Sequence, residues 1–187
     1  MRKSPGFTLI ELIVVVVILG TLAVFSFPRY LSISNEARLS VLKSVNGSLH
    51  SAVTFVEAKA MLNDLYQNRG VGVKGTKLDM GEYKLTIYNK GTPREVWENG
   101  FEYLIDGDIN HLGTGVAALG KTCLNRLCVI DNLKVSYVIA GKEGYGMFFI
   151  PRGVVLNNKE CFVHYAFQID TNGLLVYREI GIQPKGC

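Results

Sequence analysis

The chain has 187 residues, of which 48% are hydrophobic and 19% are charged, and it carries a formal net charge of +4. This length is enough for one domain with a substantial core and some appended segments, and too short for two comfortable domains. The basic residues are scattered along the chain, so the composition gives no support to nucleic-acid binding.

A long apolar run occupies residues 7–27, where the only charged side chain is Glu11. At about 1.5 Å per residue, a helix of this length measures about 30 Å, the thickness of the hydrocarbon core of a bilayer. Residues 1–6 contain two basic residues and no acid. The positive-inside bias therefore predicts a cytoplasmic N-terminus and one membrane crossing, with the rest of the chain outside.

No small-residue cleavage site follows the apolar run, which leads directly into Ser26-Phe27-Pro28-Arg29-Tyr30. The segment is therefore not an ordinary secretory signal peptide, and a plain membrane anchor is the simplest alternative.

Glu11 is the unusual residue of this span, because a carboxylate costs roughly 2.5 to 3.5 kcal/mol at the bilayer centre and somewhat less near a helix end. Such an acid needs a cationic partner. A cut between Gly6 and Phe7 would create an α-amino group one helical turn from Glu11, and this group, or that of a neighbouring subunit, could pair with it. The alternative is an unpaired acid that snorkels to the interface.

Residues 6–12 read Gly-Phe-Thr-Leu-Ile-Glu-Leu, which resembles the prepilin processing motif of type IV pilins and type II secretion pseudopilins. The resemblance implies cleavage after Gly6 by a prepilin peptidase, N-methylation of Phe7, and neutralisation of a neighbour's terminus by Glu11 during assembly. It also implies a single-pass inner-membrane precursor, which an inner-membrane assembly platform builds into a helical filament of identical subunits. An acid that gains its partner only beside a correctly placed neighbour would set the register of addition.

After Pro28, apolar residues recur with helical spacing, which predicts an amphipathic helix continuing to about Tyr66. These residues are Leu42, Val45, Leu49, Ala52, Val53, Val56 and Ala60. Pro28 lacks an N–H and Gly20 lowers helix propensity, so we expect a kink at Pro28. Pilin helices curve or partly unwind between such Gly and Pro positions, and resemblance therefore gives both residues an assembly role. A membrane-exit kink without such a role is the alternative.

A narrower resemblance, to mannose-sensitive haemagglutinin pilins, involves several short stretches on both sides of an unmatched middle, residues 68–121. The stretches are 28–31, 36–38, 49–53, 58–60 and the segment Cys161-Phe162-Val163-His164-Tyr165.

The remainder of the chain predicts a small β-rich head. Frequent Gly, Asn and Pro residues after Asn68 predict a variable connecting loop. Runs rich in β-branched and aromatic residues then predict a three- or four-stranded antiparallel sheet, with strands at 134–140, 145–150, 162–169 and 174–180. Asp170-Thr171-Asn172-Gly173 predicts a hairpin between the last two strands. Alternation in the third strand predicts that Val163, Tyr165, Phe167 and Ile169 face the helix.

The predicted class is α+β, a type IV pilin fold in which a long N-terminal helix packs on a small antiparallel sheet. Its segments are a leader at 1–6, a transmembrane and assembly helix at 7–27, an amphipathic continuation at 28–66 and an extracytoplasmic head at 67–187.

Four cysteines, Cys123, Cys128, Cys161 and Cys187, lie on the side predicted to be outside, where disulfides persist. Three pairings are possible, and the sequence does not decide among them. We favour Cys123–Cys128 and Cys161–Cys187, of which the second resembles the C-terminal disulfide loop of pilins.

The sequence contains no strong signal for metal binding or catalysis. Residues 106–111 begin like a calcium loop, but Ala117 stands where the twelfth position needs a bidentate acid, so we assign no metal. The spacing of Cys123 and Cys128 is not that of a redox pair, and the three histidines show neither ligand spacing nor a nucleophile motif. We therefore predict no enzyme activity and no cofactor.

The predicted function is that of a structural subunit of a type IV pilus, a surface filament that supports adhesion. A type II secretion pseudopilin in a periplasmic fibre is the first alternative, because it carries the same N-terminal motif. A minor tip adhesin is the second, although tip subunits of this kind often lack the acid at the position of Glu11.

Overall fold

The computed structural model describes residues 8–67, 75–158 and 160–187. The chain divides into two compact units, of which the first ends at Ala37 and the second comprises Arg38–Cys187. The boundaries that the sequence suggests after residues 6 and 27 stay predictions.

One α-helix, α1, runs from Leu9 to Leu62. The seven apolar residues that carry the helical spacing between Leu42 and Ala60 are all buried in the second unit. This confirms the predicted amphipathic stripe, whose burial supplies most of the stability of a helix in a folded domain.

The C-terminus of α1 lies four residues earlier than predicted, at Leu62 instead of Tyr66. Asp64 adopts a left-handed conformation with φ of 55°. Its N–H donates to the carbonyl of Met61, and the N–H of Leu65 donates to that of Ala60. This is a Schellman motif, which satisfies the last carbonyls and turns the chain out of the helix.

A three-stranded sheet follows, formed by β1 (Thr76–Asp79), β2 (Lys84–Tyr88) and β3 (Thr92–Pro93). The variable connecting loop expected after Asn68 instead contains these three strands, while residues 68–74 lie outside the described residues. Leu78, Leu85 and Ile87 form a small core with Val56 and Ala60 of α1. Packing against the helix therefore stabilises strands too short to be recognised from their own sequence.

The second sheet has five strands in chain order: β4 (Ile109–Thr114), β5 (Leu127–Lys134), β6 (Tyr145–Pro151), β7 (Phe162–Ile169) and β8 (Leu175–Gln183). All neighbouring pairs are antiparallel except β4 and β5, which are parallel. The prediction was thus correct for β6, β7 and β8. It was wrong in the number of strands and in expecting only antiparallel pairs, because the edge strand β4 lies parallel to β5.

The strand expected at residues 134–140 is also wrong, because β5 ends at Lys134 and a 3₁₀ turn covers Val135–Tyr137. The turn is stabilised by a hydrogen bond from the Val135 N–H to the carbonyl of Gly144, at 3.0 Å. Val135 and Val138 are nevertheless buried. An apolar run therefore resembled a strand although it forms a buried turn.

The predicted hairpin between β7 and β8 is confirmed. The Asp170 carboxylate accepts hydrogen bonds from the N–H groups of Asn172 and Leu174, both at 2.8 Å, and Gly173 has φ of 79°. Asp170 therefore closes the turn with its side chain, and glycine supplies the conformation that other residues avoid.

The main core of the second unit lies between α1 and the second sheet, and it includes Val163, Tyr165 and Phe167. Arg178 is the register partner of Phe167, so the two side chains lie on the same face of the sheet. Arg178 forms an ion pair with Glu57 of α1. The face that carries Val163, Tyr165 and Phe167 is therefore turned to the helix, as predicted. The opposite face of β7 is buried as well, with Phe162 at 2% and His164 at 6% exposure.

Candidate functional site

The N-terminal part of α1 presents an exposed apolar surface. Leu9–Phe27 is 19 residues long, has a mean hydropathy of 2.7 and contributes no buried residue. By length and composition it is able to cross a membrane. Exposed apolar area of this extent requires lipid or other protein around it.

The start of this helix is fixed by three reciprocal hydrogen bonds between Thr8 and Glu11. The Thr8 N–H and the Thr8 hydroxyl each donate to the Glu11 carboxylate at 2.8 Å. The Glu11 N–H lies 3.4 Å from the Thr8 hydroxyl oxygen, which accepts from it. This is a capping box, with Thr8 as the N-cap and Glu11 at the third helical position.

The capping box was missed in the sequence analysis, although its signal, Thr-x-x-Glu before an apolar run, is present in residues 8–11. Glu11 is therefore not a bare charge, since it has local donors before any second subunit approaches. An assembly role requires that a neighbour's ammonium group compete with, or join, these hydrogen bonds.

Four further residues have predicted roles in processing or assembly: Gly6, Phe7, Gly20 and Pro28. The processing pair Gly6 and Phe7 lies outside the described residues. Gly20 and Pro28 both lie within α1, and the kink expected at Pro28 stays a prediction. Their assembly roles stay predictions.

Two disulfides are present, and they are the two pairs favoured from the sequence. Cys123 and Cys128 are joined with a Cα–Cα distance of 5.7 Å, and Cys161 and Cys187 with one of 4.8 Å. The second bond ties the last residue to the start of β7. Arg38 of α1 reinforces it by donating to the carbonyl of Cys187 at 3.2 Å.

Three residues of the partial calcium pattern at 106–111 carry side-chain oxygens at the surface. Asp106, Asp108 and Asn110 are exposed. No group of three His, Cys, Asp or Glu side chains able to hold a metal occurs among residues 8–67, 75–158 and 160–187.

His111 instead connects two acidic side chains from different segments. Its Nδ1 lies 3.2 Å from Glu98 and its Nε2 lies 3.1 Å from the buried Asp131 on β5. The other Asp131 oxygen accepts the Trp97 N–H at 2.7 Å. This cluster links β4 to the segment before it, and no local sequence signal could have revealed it.

The remaining histidines are not brought together. His50 is exposed on α1, whereas His164 is buried on β7 with its ring stacked on Phe148 at a centroid distance of 6.2 Å. Within the described ranges the histidines thus form no shared site.

Comparison with known proteins identifies relatives of both the N-terminal segment and much of the chain. Residues 1–27 match the prokaryotic N-terminal methylation motif. The type II secretion system core protein G of Vibrio cholerae is 35% identical over 115 residues, which cover 58% of this chain and 75% of the relative. The protein of the same name from Pseudomonas aeruginosa is 31% identical over 112 residues, which cover 57% of this chain and 77% of the relative.

No solved structure matches the chain. The narrower resemblance to mannose-sensitive haemagglutinin pilins is not confirmed by these relatives and stays a prediction.

Proposed function

The chain belongs to the type IV pilin-like family that includes the type II secretion system core proteins G, and from this premise we propose that it is the subunit of a pseudopilin-type periplasmic fibre. The supporting observation is the uncovered apolar helix Leu9–Phe27 with a capped acid in its first turn. The subunit starts as an inner-membrane precursor. It then exchanges lipid around this helix for the helices of its neighbours.

This exchange explains why the apolar surface stays uncovered within one chain. In the precursor, lipid solvates the helix at little cost. In a fibre, the same surface packs against identical helices, and small side chains or shape complementarity decide how closely they approach. A membrane anchor alone would explain the apolar surface, but it would not require an acid in the first turn.

Processing supplies a cation for this acid in addition to its local donors on Thr8. Cleavage after Gly6 by a prepilin peptidase frees the α-amino group of Phe7, which is then methylated and remains basic. Its charge compensates Glu11 of an adjacent subunit while the capping hydrogen bonds from Thr8 hold the carboxylate in place. The pairing sets the axial register between subunits.

A type IV pilus on the cell surface is the second candidate. The Cys161–Cys187 disulfide favours it, because it resembles the C-terminal disulfide loop of pilins. The relatives favour the secretion fibre, since both carry the name of a secretion component. Either function is structural, and we propose no catalytic activity.

The test is to express the full chain in a host with a type II secretion system and to recover fibres from the periplasm and from sheared surface material. We expect subunits beginning at methylated Phe7, with both disulfides formed, in the periplasmic fraction. Glu11→Gln should be processed normally and yield few fibres, while Glu36→Gln, another exposed acid on α1, should assemble normally.

If fibres were recovered only from the cell surface, the function would be that of a pilus subunit and not that of a secretion-fibre subunit. Normal assembly of Glu11→Gln would remove the register role of Glu11. A retained Met1 without fibres would overturn the filament function altogether and leave a membrane anchor.

A further inference from the structure

A cavity of about 400 Å³ opens in the second unit beside the end of β7. Its volume lies within the range of small-molecule sites in proteins. It is remote in sequence from the N-terminal motif, and nothing in the proposed fibre function uses it. Its walls include Tyr88, Glu95, Lys134, Glu143, Tyr145 and Phe167.

Glu95 is the unusual residue of this wall, because it is a carboxylic acid with only 5% of its surface exposed. One of its carboxylate oxygens has no hydrogen-bond partner among the described residues. Burial raises the pKa of Glu95, and the charge of Asp131 adds to the rise, against smaller lowering effects of its own backbone and of Arg94. Arg94 compensates this buried charge only in part, because burial has the larger effect, so a further cation beside the carboxylate would be stabilising.

Three aromatic rings contribute to the same wall. The rings of Tyr88 and Phe167 lie 5.4 Å apart and are tilted by 51°. Tyr145 is the register partner of Phe167 on the neighbouring strand, so both side chains lie on one face of the sheet. The faces of aromatic rings carry negative partial charge and attract cations, most strongly where water is excluded.

The charges of the wall favour a positive ligand. Glu95 and Glu143 provide two negative charges and Lys134 one positive charge, which leaves one negative charge in excess. Three further titratable groups lie on adjacent elements. The charges of Arg94 and Asp131 shift the pKa of Glu95. The charge of Glu95 in turn contributes to the raised pKa of the buried Tyr165.

Contacts within the chain hold the segment that closes one side of the cavity. Gly144 has φ of 100°, and a Cβ atom there would lie 2.2 Å from the carbonyl oxygen of Phe167, so only glycine fits. The Tyr177 hydroxyl donates to the carbonyl of Glu143. The wall is thus preorganised, which lowers the entropic cost of binding.

We propose that this cavity binds an organic ammonium cation, with Glu95 as its counter-ion and the rings of Tyr88, Tyr145 and Phe167 as its apolar walls. The unpartnered Glu95 oxygen is itself buried, so the carboxylate would attract the ammonium group by its charge, and the ring faces would contact it. The site belongs to the folded second unit, so it is expected in single subunits, and the inference stands apart from fibre assembly.

The test uses the full chain in micelles of a maltoside detergent, which has no ammonium headgroup. Choline and butylammonium are titrated in turn, with NMR observation of the tyrosine rings. The control ligand is the neutral isostere of choline, in which a tert-butyl group replaces the trimethylammonium group. We expect a saturable shift of the Tyr88 and Tyr145 resonances, and binding at least about tenfold tighter than that of the isostere.

The matched variants are Glu95→Gln, which removes the buried charge with little change in shape, and Glu82→Gln, an exposed acid outside the cavity. Glu95→Gln should abolish the preference for the cation, and Glu82→Gln should leave it within about twofold. The preference between choline and butylammonium then identifies a quaternary or a primary amine as the better ligand.

Three results would overturn the proposal: equal binding of choline and its isostere, an unchanged preference in Glu95→Gln, or no saturable shift with either cation. The comparison of ligands on the unaltered chain decides the question even if Glu95→Gln is unstable. None of these results bears on fibre formation, which is measured separately.

Discussion

Glu57 on the penultimate turn of α1 and Arg178 on β8 form an ion pair that links the helix to an edge strand of the second, five-stranded sheet. Their side chains are 21% and 22% exposed, so the pair is only partly accessible to water. Arg178 also lies near the Thr92 hydroxyl of β3, at 3.4 Å. The pair therefore lies where the helix and both sheets meet.

We expect Glu57→Gln and Arg178→Gln each to lower the free energy of unfolding by about 1 to 2 kcal/mol. The double variant should lose clearly less than the sum, because the second change removes a charge already unpaired. Urea unfolding followed by the fluorescence of Trp97, the single tryptophan, measures this. Additive losses would show that the two residues stabilise the fold independently.

The close approach of β3 to α1 predicts a large effect at Gly91. This residue has φ of 65°, and a Cβ atom there would lie 2.9 Å from the Cα of Glu57. Gly141 is a suitable control, since it has φ of 78° and a Cβ atom there would meet nothing within 4 Å. Gly91→Ala should cost at least about 2 kcal/mol, and Gly141→Ala about 1 kcal/mol from backbone strain alone. Equal losses in unfolding experiments would exclude a steric contribution from the helix.

The two disulfides should contribute unequally. The loop closed by Cys161–Cys187 spans 26 residues of sequence and that closed by Cys123–Cys128 spans 5. Chain entropy predicts losses of about 3.5 and about 2 kcal/mol when each pair is replaced by serines. Replacement of Cys161 and Cys187 should also release the C-terminus, which faster hydrogen exchange of the β7 and β8 amides would detect. A larger effect of the short loop would contradict the entropic account.

The sequence was most informative where its signals are local. The apolar run, the charge before it and the motif around Glu11 are all contained in the first 27 residues, as is the Thr8–Glu11 capping box that was overlooked. The hairpin at Asp170 is equally local, because its turn residues bond to one another.

The sequence was least informative where distant segments decide the structure. Short apolar runs do not distinguish strands from buried turns, which explains the wrong strand prediction at residues 134–140. The parallel pairing of β4 with β5 depends on residues 18 positions apart, such as Ile109 and Leu127. The wall formed by Tyr88, Glu95 and Phe167 likewise combines three segments, so no pattern in the sequence indicated the cavity.

The capping box predicts a separate effect of Thr8. Thr8→Val removes the hydroxyl that bonds to Glu11 but keeps the backbone N–H that donates to it. We expect the helix start to weaken by about 1 kcal/mol, seen as faster amide exchange at Glu11, with less loss of fibres than in Glu11→Gln. Thr21→Val is the control, because its hydroxyl bonds only to the carbonyl of Ile18 in the same span. Unchanged exchange in Thr8→Val would show that the hydroxyl is dispensable.

His164 predicts a loss of stability in mild acid. Burial lowers the pKa of His164 and Lys142 lowers it further, while Glu179, 3.6 Å from Nε2, opposes the shift. A histidine with a lowered pKa in the folded state takes up its proton more readily when unfolded. Stability should therefore fall as the pH decreases from about 6.5 towards the folded-state pKa, by at most about 1.4 kcal/mol per pH unit.

The comparison that isolates this effect is His164→Phe, which keeps a ring against Phe148 but cannot be protonated. Its unfolding free energy should be less dependent on pH over this range than that of the unaltered chain. His50→Gln, a change at an exposed position of α1, should retain the full dependence. If His164→Phe keeps the same slope, another group controls the acid sensitivity, and His164 is then no more than a packing residue of β7.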